Sequence, residues 1–143
     1  MRIEDVLQAK QRPDVVTVGP EAGVRELLAL FAEHNIGAVV VSVDGRTVLG
    51  IVSQRDVVRH LHADGTVVNN TVGAIMTPEV ATCELDTELD AVMQTMTDRR
   101  VRHLPVLRHG ALVGVVSIGD VVKQKIDQLQ FERDQLEGYV HQS

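Results

Sequence analysis

The sequence predicts an α/β (α+β) protein in which one small sheet carrying two helices occurs twice, followed by an extended C-terminal helix. Three observations carry that expectation. First, Gly50-Ile51-Val52-Ser53-Gln54-Arg55-Asp56-Val57-Val58 returns 64 residues later as Gly114-Val115-Val116-Ser117-Ile118-Gly119-Asp120-Val121-Val122. Second, short β-branched runs alternate with stretches of helical apolar period, the mark of mixed strand and helix units. Third, apolar residues make up 44% of the 143-residue chain but aromatics only 2%, so the core must be built from Val, Leu, Ile, Ala and Met. This length suits one compact domain or two small fused halves.

Taken in order, each copy reads strand, helix, strand, turn, strand, helix. Val15-Val16-Thr17-Val18 and Val80-Ala81-Thr82-Cys83 open the two copies as strands. Val24, Leu27, Leu28 and Phe31 follow at i, i+3, i+4 and i+7, which makes one buried helical stripe; Leu89, Val92, Met93 and Met96 repeat it. Pro20 and Asp86-Thr87 are the expected start signals of these helices. Ile36-Gly37-Ala38-Val39-Val40-Val41 and Leu49-Gly50-Ile51-Val52 flank a Gly-containing turn, a hairpin signal matched by Val101-Arg102-His103-Leu104-Pro105-Val106 and its successor. The copies align at an offset of 65 that falls to 64 after Gly45 and Gly110, so copy one carries one additional residue in its turn. Asp56 and Asp120 stand at the start of each copy's last helix. The expected boundaries are 3–62 and 72–126 for the copies, 63–71 for a linker rich in Asn, Gly and Thr, and 127–143 for a helical extension.

Composition excludes several classes of function. The net charge of −6 and the missing aromatic interleaving argue against a nucleic-acid partner. The lone Cys83 excludes an intramolecular disulfide and a cysteine zinc site, and its place on a predicted strand makes it a buried structural thiol. No apolar run approaches the length of a membrane span and the N-terminus lacks a signal h-region, so a cytoplasmic protein without membrane attachment is expected. His60 and His62 are two apart on a predicted helix, where side chains do not face each other, so no metal site is expected. His34, His109 and His141 read as surface residues, and Met76, Met93 and Met96 as core or interface filling. No nucleophile–base pair or Gly-rich phosphate loop is visible, and no enzyme or catalytic cofactor is expected.

The paired Gly-x-x-Ser-x-x-Asp motifs, Val101-Arg102-His103-Leu104-Pro105-Val106 and the leading segments Val6-Leu7 and Ile75-Met76-Thr77-Pro78 together resemble a tandem pair of cystathionine-β-synthase (CBS) domains, a Bateman module, over roughly residues 3–126. The resemblance implies two repeats about a pseudo-twofold axis and an adenosine ligand of the AMP, ADP, ATP, NAD or S-adenosylmethionine class. It assigns the ribose to Asp56 and Asp120, with Ser53 and Ser117 on ribose or phosphate. An ionised Asp is acceptor-only, so its two oxygens suit a vicinal diol. The adenine slot would be lined by Val16 and Thr17 of segment 15–18, Ala81 and Thr82 of segment 80–83, and Ala38 and Leu104. Phosphate would fall to Arg102 and His103 first, then to Arg55, Lys123, Arg59, Arg99 and Arg100.

The plainer reading of Ser53, Asp56, Ser117 and Asp120 is that they only cap helices. The copies also differ: Arg55 stands inside one motif where Gly119 stands in the other, and Gly37-Ala38-Val39 faces Arg102-His103-Leu104. Two unequal sites are expected. The alternative is an interaction module that binds no ligand. Beyond Asp120, the apolar series Val122, Ile126, Leu129, Leu136 and Tyr139-Val140 predicts a helix running past the repeats, which either folds back or pairs with the same helix of a homodimer. No effector domain is visible, so a separate effector protein is a further expected partner.

Overall fold

The computed structural model describes residues 1–10 and 15–142; Ser143, the last residue of the expected extension, lies outside them. The order of elements is α1 (Ile3–Ala9), β1 (Thr17–Val18), α2 (Val24–His34), β2 (Ala38–Val41), β3 (Gly50–Ser53), α3 (Gln54–Ala63), a 3₁₀ turn (Val67–Asn69), α4 (Val72–Ile75), β4 (Cys83–Glu84), α5 (Leu89–Arg99), β5 (His103–Arg108), β6 (Ala111–Ser117) and α6 (Ile118–Gln142). The two sheets have the same topology. The first strand is parallel to the second and the second antiparallel to the third, in the orders β1-β2-β3 and β4-β5-β6.

The hairpins close differently because of the one-residue difference between the copies. His109 and Gly110 join β5 to β6 with both φ angles positive, at 52° and 81°, the backbone that a two-residue primed turn requires. The longer connection after β2 is organised by Asp44, whose carboxylate accepts from the N–H of Arg46 and Thr47 and from the hydroxyls of Ser42 and Thr47. Those bonds, the Thr47 N–H foremost, hold its carboxyl well below the usual carboxylate range.

The two hydrophobic cores do not coincide with the two sequence copies. One gathers Val24, Leu27, Phe31, Val39, Val41 and Val52 with Val72 and Ile75 of α4. The other gathers Leu89, Val92, Met96, Leu104, Val106 and Val116 with Ile3 and Val6 of α1. Each copy's leading helix therefore completes the core of the other copy. The backbone repeats this exchange: Val24 N–H donates to Asn70 and Val72 N–H to Ala22, while Leu89 N–H donates to Met1 and Ile3 N–H to Thr87.

That exchange also corrects the expected helix starts. Gly23 and Glu88, not Pro20 and Asp86-Thr87, precede the first turns of α2 and α5, and neither supplies a side-chain cap. The leading segment of the opposite copy accepts the first N–H instead. The 63–71 stretch is likewise more than a tether, because its 3₁₀ turn buries Val67 in the first core. The C-terminal extension has no boundary at 126. It continues α6, whose residues from Leu129 to His141 are all exposed, so it does not fold back onto the domain.

Candidate functional site

Each repeat motif builds the same junction, in which a strand ends on Ser and the next helix begins under a capping box. In copy one, Ser53 N–H donates to Asp56 Oδ2 at 2.8 Å, the Ser53 hydroxyl lies 3.0 Å from that oxygen, and Asp56 N–H donates to Ser53 Oγ at 3.2 Å. In copy two, Ser117 N–H donates to Asp120 Oδ2 at 2.9 Å and Asp120 N–H to Ser117 Oγ at 3.1 Å. The capping role is thus realised at both motifs. It also fixes both carboxylates with one oxygen held by backbone, while Oδ1 accepts no hydrogen bond from the described residues.

The surroundings of the two carboxylates differ. Asp120 lines a cleft of about 650 Å³ together with Ser117, His103, Gly114 and Val115 of copy two, Val15, Val16, Ile36, Gly37 and Ala38 of copy one, and Leu7 and Lys10 from α1 and its end. It is composite, with a carboxylate and a hydroxyl from one copy facing an apolar wall from the other. Gly114 and Gly37 let the walls approach: a Cβ on Gly114 would lie 2.9 Å from Leu7, and one on Gly37 would lie 3.4 Å from the His103 ring. Asp56 and Ser53 do not line this cleft.

Lys10 carries the principal difference. Its ammonium lies 2.9 Å from Asp120 Oδ2 and donates to the Val115 carbonyl at 2.7 Å. Burial pushes the Asp120 carboxyl up, but the Ser117 N–H and the Lys10 ammonium outweigh it and hold the carboxyl below its usual value. His103 moves down as well, first through burial and then through Lys10 and Arg102, against the opposing pull of Asp120. Leu7 packs on Gly114 as Met76 packs on Gly50 in the other copy. Three residues beyond Met76 the chain carries Glu79, an exposed acid, where three beyond Leu7 it carries Lys10.

Of the residues singled out in the sequence, Asp120, Ser117, His103, Val16 and Ala38 are brought together in the cleft. Thr17 begins β1 beside it, and Ala81 and Thr82 lie just before β4 in the other copy. Leu104 is 1% exposed and fills the second core, so its side chain is closed to a ligand. Arg55, Arg102 and Lys123 are exposed and do not line the cleft. Sequence reasoning missed Lys10, Leu7 and the α2 C-terminus with Glu33, His34 and Asn35. The available signal for Lys10 is its place three residues beyond Leu7 of the leading segment Val6-Leu7. Among the described residues no three His, Cys, Asp or Glu side chains gather as a metal site.

The CBS domain model matches residues 3–63 and 72–127. This chain belongs to the CBS-domain family. Both matches lie in one chain, which makes it a tandem CBS pair. It is 36% identical over 122 residues to CBS domain-containing protein CBSX3, mitochondrial, of Arabidopsis thaliana, an alignment covering 82% of this chain and 59% of that protein. The chain thus spans about three fifths of that relative's length. The crystal structure of a CBS-domain protein from Agrobacterium tumefaciens superposes with a TM-score of 0.82 at 42% identity, covering 87% of this chain and 99% of that one. The CBS domain pair of protein MJ0100, solved in complex with 5′-methylthioadenosine and S-adenosyl-L-methionine, has the same fold at a TM-score of 0.77 and 22% identity, covering 87% of this chain and 98% of that one.

Proposed function

We propose that this CBS pair is a regulatory module that takes one adenosine-containing ligand in the Asp120 cleft and transmits its occupancy through a partner protein. The observation that carries this reading is the composite cleft. A carboxylate positioned by backbone hydrogen bonds faces an apolar wall contributed by the other copy. The ribose diol goes to Asp120, the Ser117 hydroxyl adds a further polar contact, and the adenine lies against Val15, Val16, Ile36 and Ala38. A CBS pair of the same fold holding two adenosine compounds supports that class. A ligand bridging the halves stabilises whichever arrangement holds them in register, and signalling needs only unequal affinity for two arrangements.

The test is calorimetry with AMP, ADP, ATP, NAD and S-adenosylmethionine. The expected result is one site per chain, abolished by Asp120→Ala and retained by Asp56→Ala. Heat with none of the five, or loss on Asp56→Ala alone, overturns the reading. The rival, an interaction module with a closed pocket, is favoured by one observation, the Lys10 ammonium already seated on Asp120. It predicts partner binding unchanged by Asp120→Ala.

The partner surface we assign to α6 takes a second copy of this chain. Val121, Gln124, Lys125 and Gln128 turn toward the domain, where Lys125 pairs with Asp90 at 3.0 Å. Val122, Ile126, Leu129 and Leu136 form an exposed stripe at steps of four, three and seven, a 4-3 helix seam with Arg133 at its one charged position. Arg133 pairs with Asp134 and Glu137 on the same helix, leaving the second half of α6 acidic by two charges, and an antiparallel copy sets Lys123 toward that acidic half. Light scattering is expected to show a dimer that Leu129→Lys with Leu136→Lys converts to a monomer. A wild-type monomer at micromolar concentration rules this partner out.

A further inference from the structure

The cleft contains a charge arrangement that bears on which adenosine ligand it accepts. A carboxylate oxygen offers about two acceptor positions. Asp120 Oδ2 has both engaged, one by the Ser117 N–H at 2.9 Å and one by the Lys10 ammonium at 2.9 Å. A diol that uses both Asp120 oxygens must therefore displace Lys10 from Oδ2. The displaced ammonium keeps the Val115 carbonyl, 2.7 Å away, but loses its counter-charge in a place where its side chain is only 30% exposed. A partly desolvated cation without a counter-charge is costly, and an anionic group on the ligand removes that cost. A neutral ligand leaves it in place.

Among the described residues, Lys10 is the cation closest to the Asp120 carboxylate. Lys10 is the sole Lys or Arg among the described residues that line the cleft, and Glu33, which also lines it, is an acid. The His103 ring is half-buried beside Gly37, and burial, with Lys10 and Arg102, favours its neutral form against the opposing pull of Asp120.

We propose that Lys10 makes the Asp120 cleft selective for adenosine ligands bearing an anionic group near the ribose, and against neutral adenosine compounds. This rests on the reading of the cleft as an adenosine site. Lys10 acts as a specificity residue: in the empty protein it holds the clamp, and in the complex it turns from the carboxylate to the ligand's anion. At the corresponding place after the other leading segment, three residues beyond Met76, the chain carries the acid Glu79 instead.

The test compares AMP with 5′-methylthioadenosine, which share the adenosine scaffold and differ in carrying a phosphate or a neutral thioether at the 5′ carbon. Calorimetry on the full chain is expected to show AMP binding at least tenfold more tightly. Lys10→Met, which keeps an apolar stem without charge, is expected to bring the two affinities within threefold, by weakening AMP and strengthening the thioether. Lys10→Arg is expected to restore the preference, with melting curves confirming that both variants are folded. Wild-type protein that binds both ligands equally, or a preference that survives Lys10→Met, overturns the proposal while leaving the adenosine site standing. Wild-type protein that binds neither ligand overturns this proposal, and the adenosine site falls with it where ADP, ATP, NAD and S-adenosylmethionine fail as well.

Discussion

Asp120 and Asp56 occupy the same local structure, a Ser-initiated capping box between a strand and a helix, yet of the two it is Asp120 that lines the cleft of about 650 Å³ and, among the described residues, pairs with a cation. Residues outside the motif account for the difference, chiefly Lys10. The pH behaviour follows from the neighbours. Asp120 is held below its usual value, so it stays ionised through the weakly acidic range, and its contribution to stability is complete above the usual carboxylate value and lost as pH falls from there through the lowered one. His103 also titrates below the usual imidazole value of about 6.5, so the folded protein resists its protonation. Stability is then complete above that usual value and declines as pH falls below it. Thermal melts of His103→Gln are expected to decline less between neutral pH and about pH 5 than those of the wild type; parallel curves would show that His103 is not responsible. Cys83 illustrates the same dependence on surroundings. Burial, followed by Glu84, pushes its thiol up to about 12. Reaction with a disulfide reagent is expected to be slow in the native protein and to go to completion on denaturation, and rapid native labelling would contradict the burial.

At the scale of elements, the leading helices decide more than their length suggests. Ile3 is fully buried, in a helix of seven residues. Ile3→Ala is expected to cost about 2–5 kcal/mol, as for other buried aliphatic truncations, and chemical denaturation measures it. A loss well below 1 kcal/mol would mean that α1 is not part of the second core. Gly50 and Gly114 test the same docking from the other side. A Cβ on Gly50 meets Met76 Sδ at 2.7 Å and the Thr77 carbonyl at 2.8 Å, whereas one on Gly114 meets only the Leu7 side chain, nearest at 2.9 Å. Gly50→Ala should therefore be the more destabilising of the two, at about 1–3 kcal/mol, because backbone yields less readily than the end of a leucine. The reverse order in denaturation would contradict this docking.

Across the whole molecule, the exchange of α1 and α4 ties the halves together, so neither sequence copy contains its own complete core. Expressed alone, residues 1–64 and 65–143 are each expected to lack a cooperative unfolding transition, which circular dichroism would show. The cleft is a product of the same exchange, because Leu7 and Lys10 reach copy two's motif only by crossing from the chain's start. Truncation after Ile126 removes Leu129 and Leu136 from the exposed stripe of α6 while sparing Val121 in the core. It is expected to weaken the dimer with little change in ligand affinity. The described helices include none long and apolar enough to cross a membrane, so this stripe is not a membrane span.

Repetition and apolar period made the repeated unit, its strand and helix order and the family legible in the sequence, because these are local properties of spacing and side-chain type. The capping boxes were legible for the same reason, since Ser53 and Asp56, or Ser117 and Asp120, lie three residues apart and meet within one helical turn. Which core each leading helix completes was a tertiary matter. Ile3 and Ile75 are apolar in sequence wherever they pack, and the membership of the two cores, with crossing hydrogen bonds such as Val24 to Asn70 and Leu89 to Met1, is what distinguishes the exchange. The site divides in the same way. The sequence by itself determined that two carboxylates stand at two helix starts. Tertiary structure alone decided that one of them faces a cleft and an ammonium from residue 10, because a contact across 110 residues depends on packing that no local spacing encodes.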